Sequence, residues 1–279
     1  MLSILKASLH ILRETASLLR KHHENSVDLG VKHKSDASPV TIADHEAHQH
    51  IERELQKLTP EWPVISEEST QIPSLPLKES IFWLVDPLDG TREFIQRSGE
   101  FSINLSLIRE YRPILGIVML PMQNQVYWAI EGQGAFLQID EQPEQAIQVK
   151  APDEQLIIAI SRSHHQDQKP EWQTFINWAQ SLNKSLGFRH SGSAIKLAWV
   201  AQGLADIYPR IGGTGAWDTA AGQCILEEAG GCVIDLKGKS LRYGDRATLQ
   251  NPYFLATTPY YRDAWLRANN KRLGRHENF

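Results

Sequence analysis

The amino-acid sequence predicts a mixed α+β and α/β fold in two halves, on the basis of three patterns. Apolar residues recur at helical spacing near the N-terminus, short alternating strands run from Ile81 to about residue 150, and strands then alternate with helices. The change of pattern places a domain boundary near residue 150, with an α+β domain over 1–150 and an α/β domain over 151–279. At 279 residues and 41% hydrophobic composition, the chain can bury two ordinary cores.

Two helices are predicted before the strands begin. Over residues 2–20, leucines and Ala16 recur at steps of three and four, which is typical of an amphipathic helix. A second helix over about 41–58 begins at Thr41, and Asp44 three residues later completes a pattern like a capping box. Asp44 can therefore be explained as a capping acid alone.

The remaining strands and helices follow from alternation and turn signals. Ile103, Leu105 and Leu107 alternate with polar residues, which predicts the first strand of an antiparallel sheet. Further strands are expected over 113–120, 125–130, 156–160, 205–208 and 232–235, and further helices near 170–183, 193–202 and 217–229. A small-molecule substrate is expected in the cleft between the two halves.

The segment Trp83–Thr91 is the most informative part of the chain. Phe82–Val85 is typical of a short buried strand, and Pro87 cannot continue a hydrogen-bonded ladder. Asp86 is therefore expected where the strand ends, with Asp89 in the following turn. Both carboxylates can reach one small volume, and hard divalent cations prefer such oxygen ligands, although Asp-Pro and Asp-Gly pairs are also ordinary turn sequences.

Gly90 and Thr91 end this segment and suggest a phosphate contact. Glycine lets the backbone approach a ligand closely, and free N–H groups would point at an anion if a helix starts there. Three further acids occur at comparable positions. Glu67 follows a short apolar run, Asp218 lies at the predicted start of a helix, and Asp44 lies in the first turn of another.

Together, these segments resemble the lithium-sensitive, magnesium-dependent phosphatase superfamily that includes inositol monophosphatase, fructose bisphosphatase and the bisphosphate nucleotidases. The resemblance implies a layered sandwich, with an antiparallel sheet and helices in the first half and a mixed α/β sheet in the second. It implies two or three Mg²⁺ ions per site. Their ligands would be Glu67, Asp86 and the Leu88 carbonyl for one ion, and Asp86, Asp89 and Asp218 for another. Asp44 and Thr91 would orient the attacking water, and Glu67 would also serve a third ion through water.

Three segments in the second half resemble one branch, the bacterial 3'(2'),5'-bisphosphate nucleotidases of sulfate assimilation. These segments are Ile160–His164, Gly192–Lys196 and Tyr208–Arg210. Inositol phosphatases typically carry an acid near the position of Arg210, whereas a cation there suits a second phosphate. The substrate-binding residues implied are Gly90, Thr91, Arg162, His164, Ser193, Lys196, Arg210 and Asp218. Gly192-Ser193 before an apolar segment is also typical of a plain helix N-cap.

The resulting hypothesis is a magnesium-dependent phosphatase that acts on a small nucleotide. It would hydrolyse the 3'-phosphate of adenosine 3',5'-bisphosphate to leave AMP, and would accept the 5'-phosphosulfate analogue. One alternative is an inositol or other sugar monophosphatase, because the metal motifs are common to both. A second alternative, of another class, is a non-catalytic regulator that binds a nucleotide or a metal.

Composition limits the partners. A net charge of −4 argues against a nucleic-acid-binding protein, which would need a basic face. Lys6, Arg13 and Glu14 interrupt the N-terminal apolar residues, and no apolar run approaches the length of a membrane span. We expect a cytoplasmic protein without a membrane span, while peripheral membrane association and the oligomeric state stay open.

Overall fold

Helices and sheets alternate in five layers in the computed structural model, which describes residues 1–25, 29–33, 39–70, 74–77, 81–162 and 169–273. The α-helices of these residues are α1 (Leu2–Asn25), α2 (Ile42–Leu58), α3 (Thr91–Ile95), α4 (Pro170–Ser181), α5 (Ile195–Ala201), α6 (Ala216–Glu228) and α7 (Pro259–Leu273). Within the described ranges, none of the helices combines the length and the apolar character needed to cross a bilayer. Both helices predicted for the first half are confirmed as α1 and α2.

The strands form one large sheet, one smaller sheet and a two-stranded ribbon. In chain order they are β1 (Lys32–His33), β2 (Pro39–Val40), β3 (Val64–Ser66), β4 (Ile81–Asp89), β5 (Ser102–Arg109), β6 (Arg112–Leu120), β7 (Gln125–Ile130), β8 (Ala135–Ile139), β9 (Gln145–Ile147), β10 (Gln155–Ser161), β11 (Ser185–Ser191), β12 (Ile207–Arg210), β13 (Cys232–Asp235) and β14 (Phe254–Thr257). The large sheet has the order β3-β4-β5-β6-β7-β8-β9 and is antiparallel except for the parallel pair β3 and β4. The antiparallel sheet predicted for the first half is confirmed.

Strand β4 extends further than its sequence predicts. The expectation that the strand ends at Asp86 is wrong, because β4 continues through Pro87 to Asp89. Asp86 pairs with Asn104 and Asp89 pairs with Ser102, with an irregular register between the two pairs. The missing N–H of Pro87 is therefore accommodated where the ladder is already interrupted, as at a β-bulge. Both acids lie at this irregularity.

The smaller sheet has the order β11-β10-β12-β14-β13 and is mixed, as predicted for the second half. Strands β10, β11 and β12 are parallel neighbours, whereas β14 runs antiparallel to both β12 and β13. The sequence prediction missed β11, β14 and α7. Residues of β11 are largely exposed at the edge of the sheet, so the strand has no apolar alternation to reveal it.

Alternate side chains of β4 enter different layers. Trp83 and Val85 pack against α1 and α2, whereas Phe82 and Leu84 lie in the core shared with α5 and α6. That shared core also includes residues of the smaller sheet, and the opposite face of this sheet packs against α4 and α7. The two halves therefore share one continuous core across residue 150. The division into two domains stays a prediction.

Helix α6 lies in the middle layer and is packed very closely. A Cβ atom at Gly116 of β6 would lie 2.4 Å from the carbonyl oxygen of Ala221. A Cβ atom at Gly222 of α6 would lie 2.6 Å from a methyl carbon of Leu197 in α5. Since real contacts are not this short, both positions require glycine, and α6 is held tightly on two sides.

Candidate active site

The ends of β3 and β4 bring two acids together. Because β3 pairs in parallel with β4 and Ser66 is level with Val85, the next residues, Glu67 and Asp86, are neighbours. The backbone N–H of Glu67 donates to the carbonyl of Val85 at 3.0 Å, which extends this pairing to Glu67. The position of Glu67 beside β4 thus follows from the strand register.

The first turn of α6 adds a third acid. The N–H of Gly215 donates to Oδ2 of Asp218 at 2.8 Å, so this carboxylate also caps the helix. Oxygen atoms of Glu67, Asp86 and Asp218 all lie within 4.8 Å of one another. Three separate elements therefore bring three carboxylates into one small volume.

These carboxylates fit a hard divalent cation. Asp86 is 1% exposed; its Oδ1 accepts from the N–H of Leu88 at 3.1 Å, and its Oδ2 makes no hydrogen bond to any described residue. A buried carboxylate oxygen without a donor is costly unless a proton or a metal ion satisfies it. Since every donor in the cluster is oxygen, Mg²⁺ or a similar hard cation suits it better than a soft metal.

Burial makes the ionised cluster unfavourable without a cation. Desolvation, with neighbouring carboxylates adding to it, raises the pKa values of Asp86 and Asp218 well above the usual aspartate value. Desolvation also raises the pKa of Asp89 to about 6, although the charge of Lys196 acts in the opposite direction. Bound cations would offset both causes, because they replace lost hydration and screen the repulsion.

Two residues of β5 support Asp89, and the sequence prediction missed both. Oδ2 of Asp89 accepts from Nδ2 of Asn104 at 3.3 Å and from the hydroxyl of Ser102 at 3.4 Å. The sequence does carry a signal, because Ser102, Asn104 and Ser106 form the polar half of an alternating strand. All three are buried; Ser102 and Asn104 bond to Asp89, whereas the hydroxyl of Ser106 donates to the carbonyl of Leu115 at 2.9 Å.

Asp44 serves the helix cap and the site at once. Its Oδ2 accepts from the N–H and the hydroxyl of Thr41, at 2.7 and 2.6 Å, which explains the capping-box pattern. Its Oδ1 accepts from the hydroxyl of Thr91 at 3.1 Å, and this hydroxyl also lies 3.3 Å from the carbonyl oxygen of Leu88. Thr91 begins α3, and Gly90 before it has φ 95°, a left-handed conformation that suits glycine.

Arg210 and Lys196 bring positive charge from the second half. Arg210 ends β12 and is 5% exposed; its Nη1 donates to the hydroxyl of Ser161 at 2.9 Å and its Nη2 to the carbonyl of Gly213 at 2.7 Å. Nζ of Lys196 donates to the carbonyls of residues 191–193, at 3.1, 2.8 and 2.5 Å. All three ammonium hydrogens are thus used, so a phosphate contact of Lys196, which stays a prediction, would require an exchange of hydrogen bonds.

Ser193 is not the helix cap that its sequence context suggests. Helix α5 begins at Ile195 with Ala194 as its N-cap residue, so the N-cap interpretation is wrong. Ser193 has φ 46°, unusual for a residue other than glycine, and its buried hydroxyl makes no hydrogen bond to any described residue. The hydroxyl is therefore available to a ligand.

One cavity of about 360 Å³ joins these groups. The predicted site residues that line it are Glu67, Leu88, Asp89, Gly90, Thr91, Arg162, Ser193, Lys196, Arg210 and Asp218. Asp44 and Asp86 do not line the cavity themselves. They are hydrogen-bonded to Thr91 and Leu88, which do. His164 lies outside the described residues.

Comparisons with known proteins agree with this geometry. Residues 2–273 match the inositol monophosphatase family. The 3'(2'),5'-bisphosphate nucleotidase CysQ of Salmonella typhimurium is 38% identical over 247 residues, which are 88% of this chain and 96% of that protein. CysQ of Aggregatibacter actinomycetemcomitans is 35% identical over 257 residues, 90% of this chain and 91% of that protein.

Solved structures share the same fold. The crystal structure of CysQ from Bacteroides thetaiotaomicron, described as a bacterial member of the inositol monophosphatase family, matches with a TM-score of 0.79 and 32% identity. That match covers 92% of this chain and 97% of the other. The IMPase of Thermotoga maritima matches with a TM-score of 0.76 and 27% identity, over 98% and 99% of the two chains.

Proposed function

This chain belongs to the inositol monophosphatase family, and we propose that it is a magnesium-dependent phosphatase that removes the 3'-phosphate of adenosine 3',5'-bisphosphate to leave AMP. The observation that carries the proposal is one cavity with a carboxylate cluster on one wall and the buried cation Arg210 on another. The similarity to the CysQ nucleotidases supports the substrate class. The 5'-phosphosulfate analogue belongs to the same proposal, because it keeps the 3'-phosphate and an anionic 5'-group. We further propose that the enzyme works in the cytoplasm.

The carboxylate wall would hold two or three Mg²⁺ ions. The ligands would be Glu67, Asp86, Asp89, Asp218 and the carbonyl of Leu88. When bound, the ions would lower the pKa of the attacking water and neutralise charge on the leaving oxygen. Ser102 and Asn104 would keep Asp89 oriented through their hydrogen bonds to its Oδ2.

Asp44 and Thr91 would orient the attacking water. With its proton donated to Oδ1 of Asp44 rather than to the carbonyl of Leu88, the hydroxyl of Thr91 would leave its oxygen as an acceptor for a proton of water. As that proton moves to Thr91, the hydroxyl proton would move to the carboxylate of Asp44. Asp44 suits this role, because its other oxygen is fixed by Thr41.

The 5'-phosphate, which is not cleaved, would lie against the cationic wall. Hydrogen bonds to Ser161 and Gly213 fix the guanidinium of Arg210, so little side-chain entropy is lost on binding. Ser193 and Arg162 line the same cavity, and their hydroxyl and guanidinium groups would add donors. Recognition of a second phosphate distinguishes this substrate from a monophosphate.

A sugar monophosphatase is the second candidate, because two of the cations have internal partners. Nζ of Lys196 is committed to three carbonyls, and Arg162 is paired with Glu100 at 2.7 Å. The non-catalytic regulator has less support, because such a protein would have no need for the hydrogen bond between Asp44 and Thr91.

A phosphate-release screen with magnesium tests the proposal. The substrates are adenosine 3',5'-bisphosphate, an inositol phosphate, fructose bisphosphate and histidinol phosphate, and an Asp89→Asn variant purified in parallel measures contaminating phosphatase. We expect the highest kcat/KM for the adenosine bisphosphate. A preference for the inositol phosphate would favour the second candidate, and release no faster than from the variant would favour the regulator.

A further inference from the structure

Glu100 joins the two halves of the protein through its contacts with Arg162 and Gly192, both of which line the cavity. It lies between α3 and β5, and its carboxylate accepts two hydrogen bonds from Arg162 at the end of β10. Nε of Arg162 donates to Oε2 at 3.0 Å, and Nη2 donates to Oε1 at 2.7 Å. Oε2 also accepts from the N–H of Gly192 at 3.2 Å and from the hydroxyl of Ser191 at 3.4 Å. One side chain of the first half thus satisfies four donors of the second.

The pair limits the motion of an exposed arginine. The side chain of Arg162 is 56% exposed and that of Glu100 only 23%, so the acid is the better-anchored partner. A two-point contact between a guanidinium and a carboxylate fixes the plane of the guanidinium. Nη1 of Arg162 makes no hydrogen bond within the described ranges, and Arg162 lines the cavity. Glu100 therefore holds the guanidinium in one orientation and leaves one of its nitrogens for a ligand.

Glu100 also supports the turn beside Arg162. A Cβ atom at Gly192 would lie 2.9 Å from the carbonyl oxygen of Glu100, and one at Gly90 would lie 3.2 Å from it. The backbone of residue 100 thus packs closely against Gly90 of the first half and Gly192 of the second. The carbonyl of Gly192 in turn accepts from Lys196 at 2.8 Å. Contacts with Glu100 thus join this turn to the first half of the protein.

We propose that Glu100 is a positioning residue that determines specificity for a substrate with a second anionic group. It would orient Arg162 and the turn at Ser191–Gly192 for the phosphate that is not cleaved, so the inference rests on the proposed function. That phosphate has the same charge in the ground state and the transition state. Such binding affects KM and leaves kcat unchanged.

The test compares Glu100→Gln, Arg162→Ala and the double variant, with Glu131→Gln as a control. Glu131 also pairs with an arginine, Arg109 at 2.7 Å, but Arg109, unlike Arg162, does not line the cavity. The measurements are kcat and KM for adenosine 3',5'-bisphosphate and adenosine 3'-monophosphate, and calorimetric affinity for AMP. For Glu100→Gln we expect the bisphosphate KM to rise about tenfold, as for loss of one hydrogen bond to a charged group. The kcat for the bisphosphate and the KM for the monophosphate should not change in Glu100→Gln. Neither kcat nor KM should change in the control variant Glu131→Gln.

The thermodynamic cycle gives a second criterion. If Glu100 acts through Arg162, Glu100→Gln should weaken AMP binding in the wild-type background and much less in the Arg162→Ala background. Additive effects, or equal KM increases for both substrates, would overturn the proposal. If Glu100→Gln does not fold, Glu100→Asp keeps the charge and should show a smaller change of the same kind. An unchanged KM in that variant would also overturn it.

Failure of the proposed function is distinguishable from failure of this inference. If the wild-type enzyme releases no phosphate from the bisphosphate, the proposed function fails, and AMP affinity still reports on Glu100. If the wild type releases phosphate but its bisphosphate KM does not depend on residue 100, only the role of Glu100 fails.

Discussion

The hydroxyl of Thr91 lies 3.1 Å from Oδ1 of Asp44, although the two residues are 47 positions apart. One residue begins α3 and the other lies in the first turn of α2, so the contact joins the N-terminal ends of two helices. Because the remaining Asp44 oxygen is held by Thr41, the carboxylate has a single orientation toward Thr91.

Replacement of Thr91 by alanine should therefore lower kcat much more than it weakens magnesium binding. Loss of general-base positioning typically costs about 10²–10⁴-fold in rate. Steady-state kinetics over a magnesium titration measure both quantities, and Thr91→Ser should restore most of the rate. Thr174→Ala removes a hydroxyl exposed on α4 and is the control. An unchanged kcat in Thr91→Ala would make Thr91 only a turn residue.

Asp89→Asn should abolish turnover and leave the fold intact. The change removes one charge from the carboxylate wall with little change in volume, and Ser102 and Asn104 remain near the side chain. Phosphate release at saturating magnesium and circular dichroism measure the two effects. Asp263→Asn, in an exposed pair with Arg262, serves as the control. Near-normal release would remove Asp89 from the mechanism.

The metal-free protein should lose stability as the pH rises through the pKa of Asp89, which is about 6. A carboxyl group whose folded pKa exceeds its unfolded value of about 3.9 takes up a proton on folding. Its stabilising contribution is complete below the unfolded pKa and is lost as pH rises through the folded pKa. Asp86 and Asp218, whose pKa values are also raised, add to this effect.

Melting temperatures in a chelator and in magnesium test this pH dependence. Magnesium binds the ionised carboxylates, so the increase it produces in the melting temperature should be larger above pH 6 than below it. The pKa of His23 is lowered, chiefly by burial, which contributes the opposite slope. Comparison with Asp89→Asn cancels that contribution, and an identical pH profile in the variant would contradict the prediction.

Lithium at millimolar concentrations should inhibit the enzyme, as the resemblance to lithium-sensitive phosphatases implies. A small monovalent ion at a magnesium position carries too little charge to assist the leaving group. Phosphate release measured with lithium chloride, against equal potassium chloride, provides the test. Full activity in lithium, alongside strong magnesium dependence, would contradict the expected mode of inhibition.

Arg210→Ala should reduce discrimination between adenosine 3',5'-bisphosphate and adenosine 3'-monophosphate. Loss of a charge-assisted hydrogen bond costs about 1.5–3 kcal/mol of binding free energy, and this loss would apply only to the bisphosphate. The ratio of the two kcat/KM values is the measurement. Arg189→Ala, which removes a guanidinium over the ring of Trp199, is the control. Equal losses for both substrates would refute a second-phosphate pocket and favour the sugar monophosphatase.

Local patterns predicted helices α1, α2, α4, α5 and α6 from sequence, and three of the acids predicted as metal ligands meet in one cluster. Helix α2 follows from its apolar spacing and from the pairing of Thr41 with Asp44, which are only three residues apart. The acids near β4 follow from one short segment and from the resemblance. The predicted end of β4 was wrong because the register irregularity that lets the strand continue depends on its partner strand β5.

Contacts between distant residues could not be predicted in this way. Arg162 and Glu100 are 62 positions apart, and neither flanking sequence indicates the other. The three backbone carbonyls around the ammonium group of Lys196 were likewise not indicated by its position near a predicted helix start. Which acceptors meet a buried cation depends on the tertiary fold.

The close packing of α6 links the interior of the protein to its chemistry. Asp218 lies in the first turn of this helix, and Gly222 lies one turn further along, against Leu197. A methyl group at Gly222, or at Gly116 facing Ala221, would displace the helix and move the carboxylate of Asp218 with it. Substitutions in the interior, far from the cleft, are thus expected to change the geometry of the carboxylate cluster.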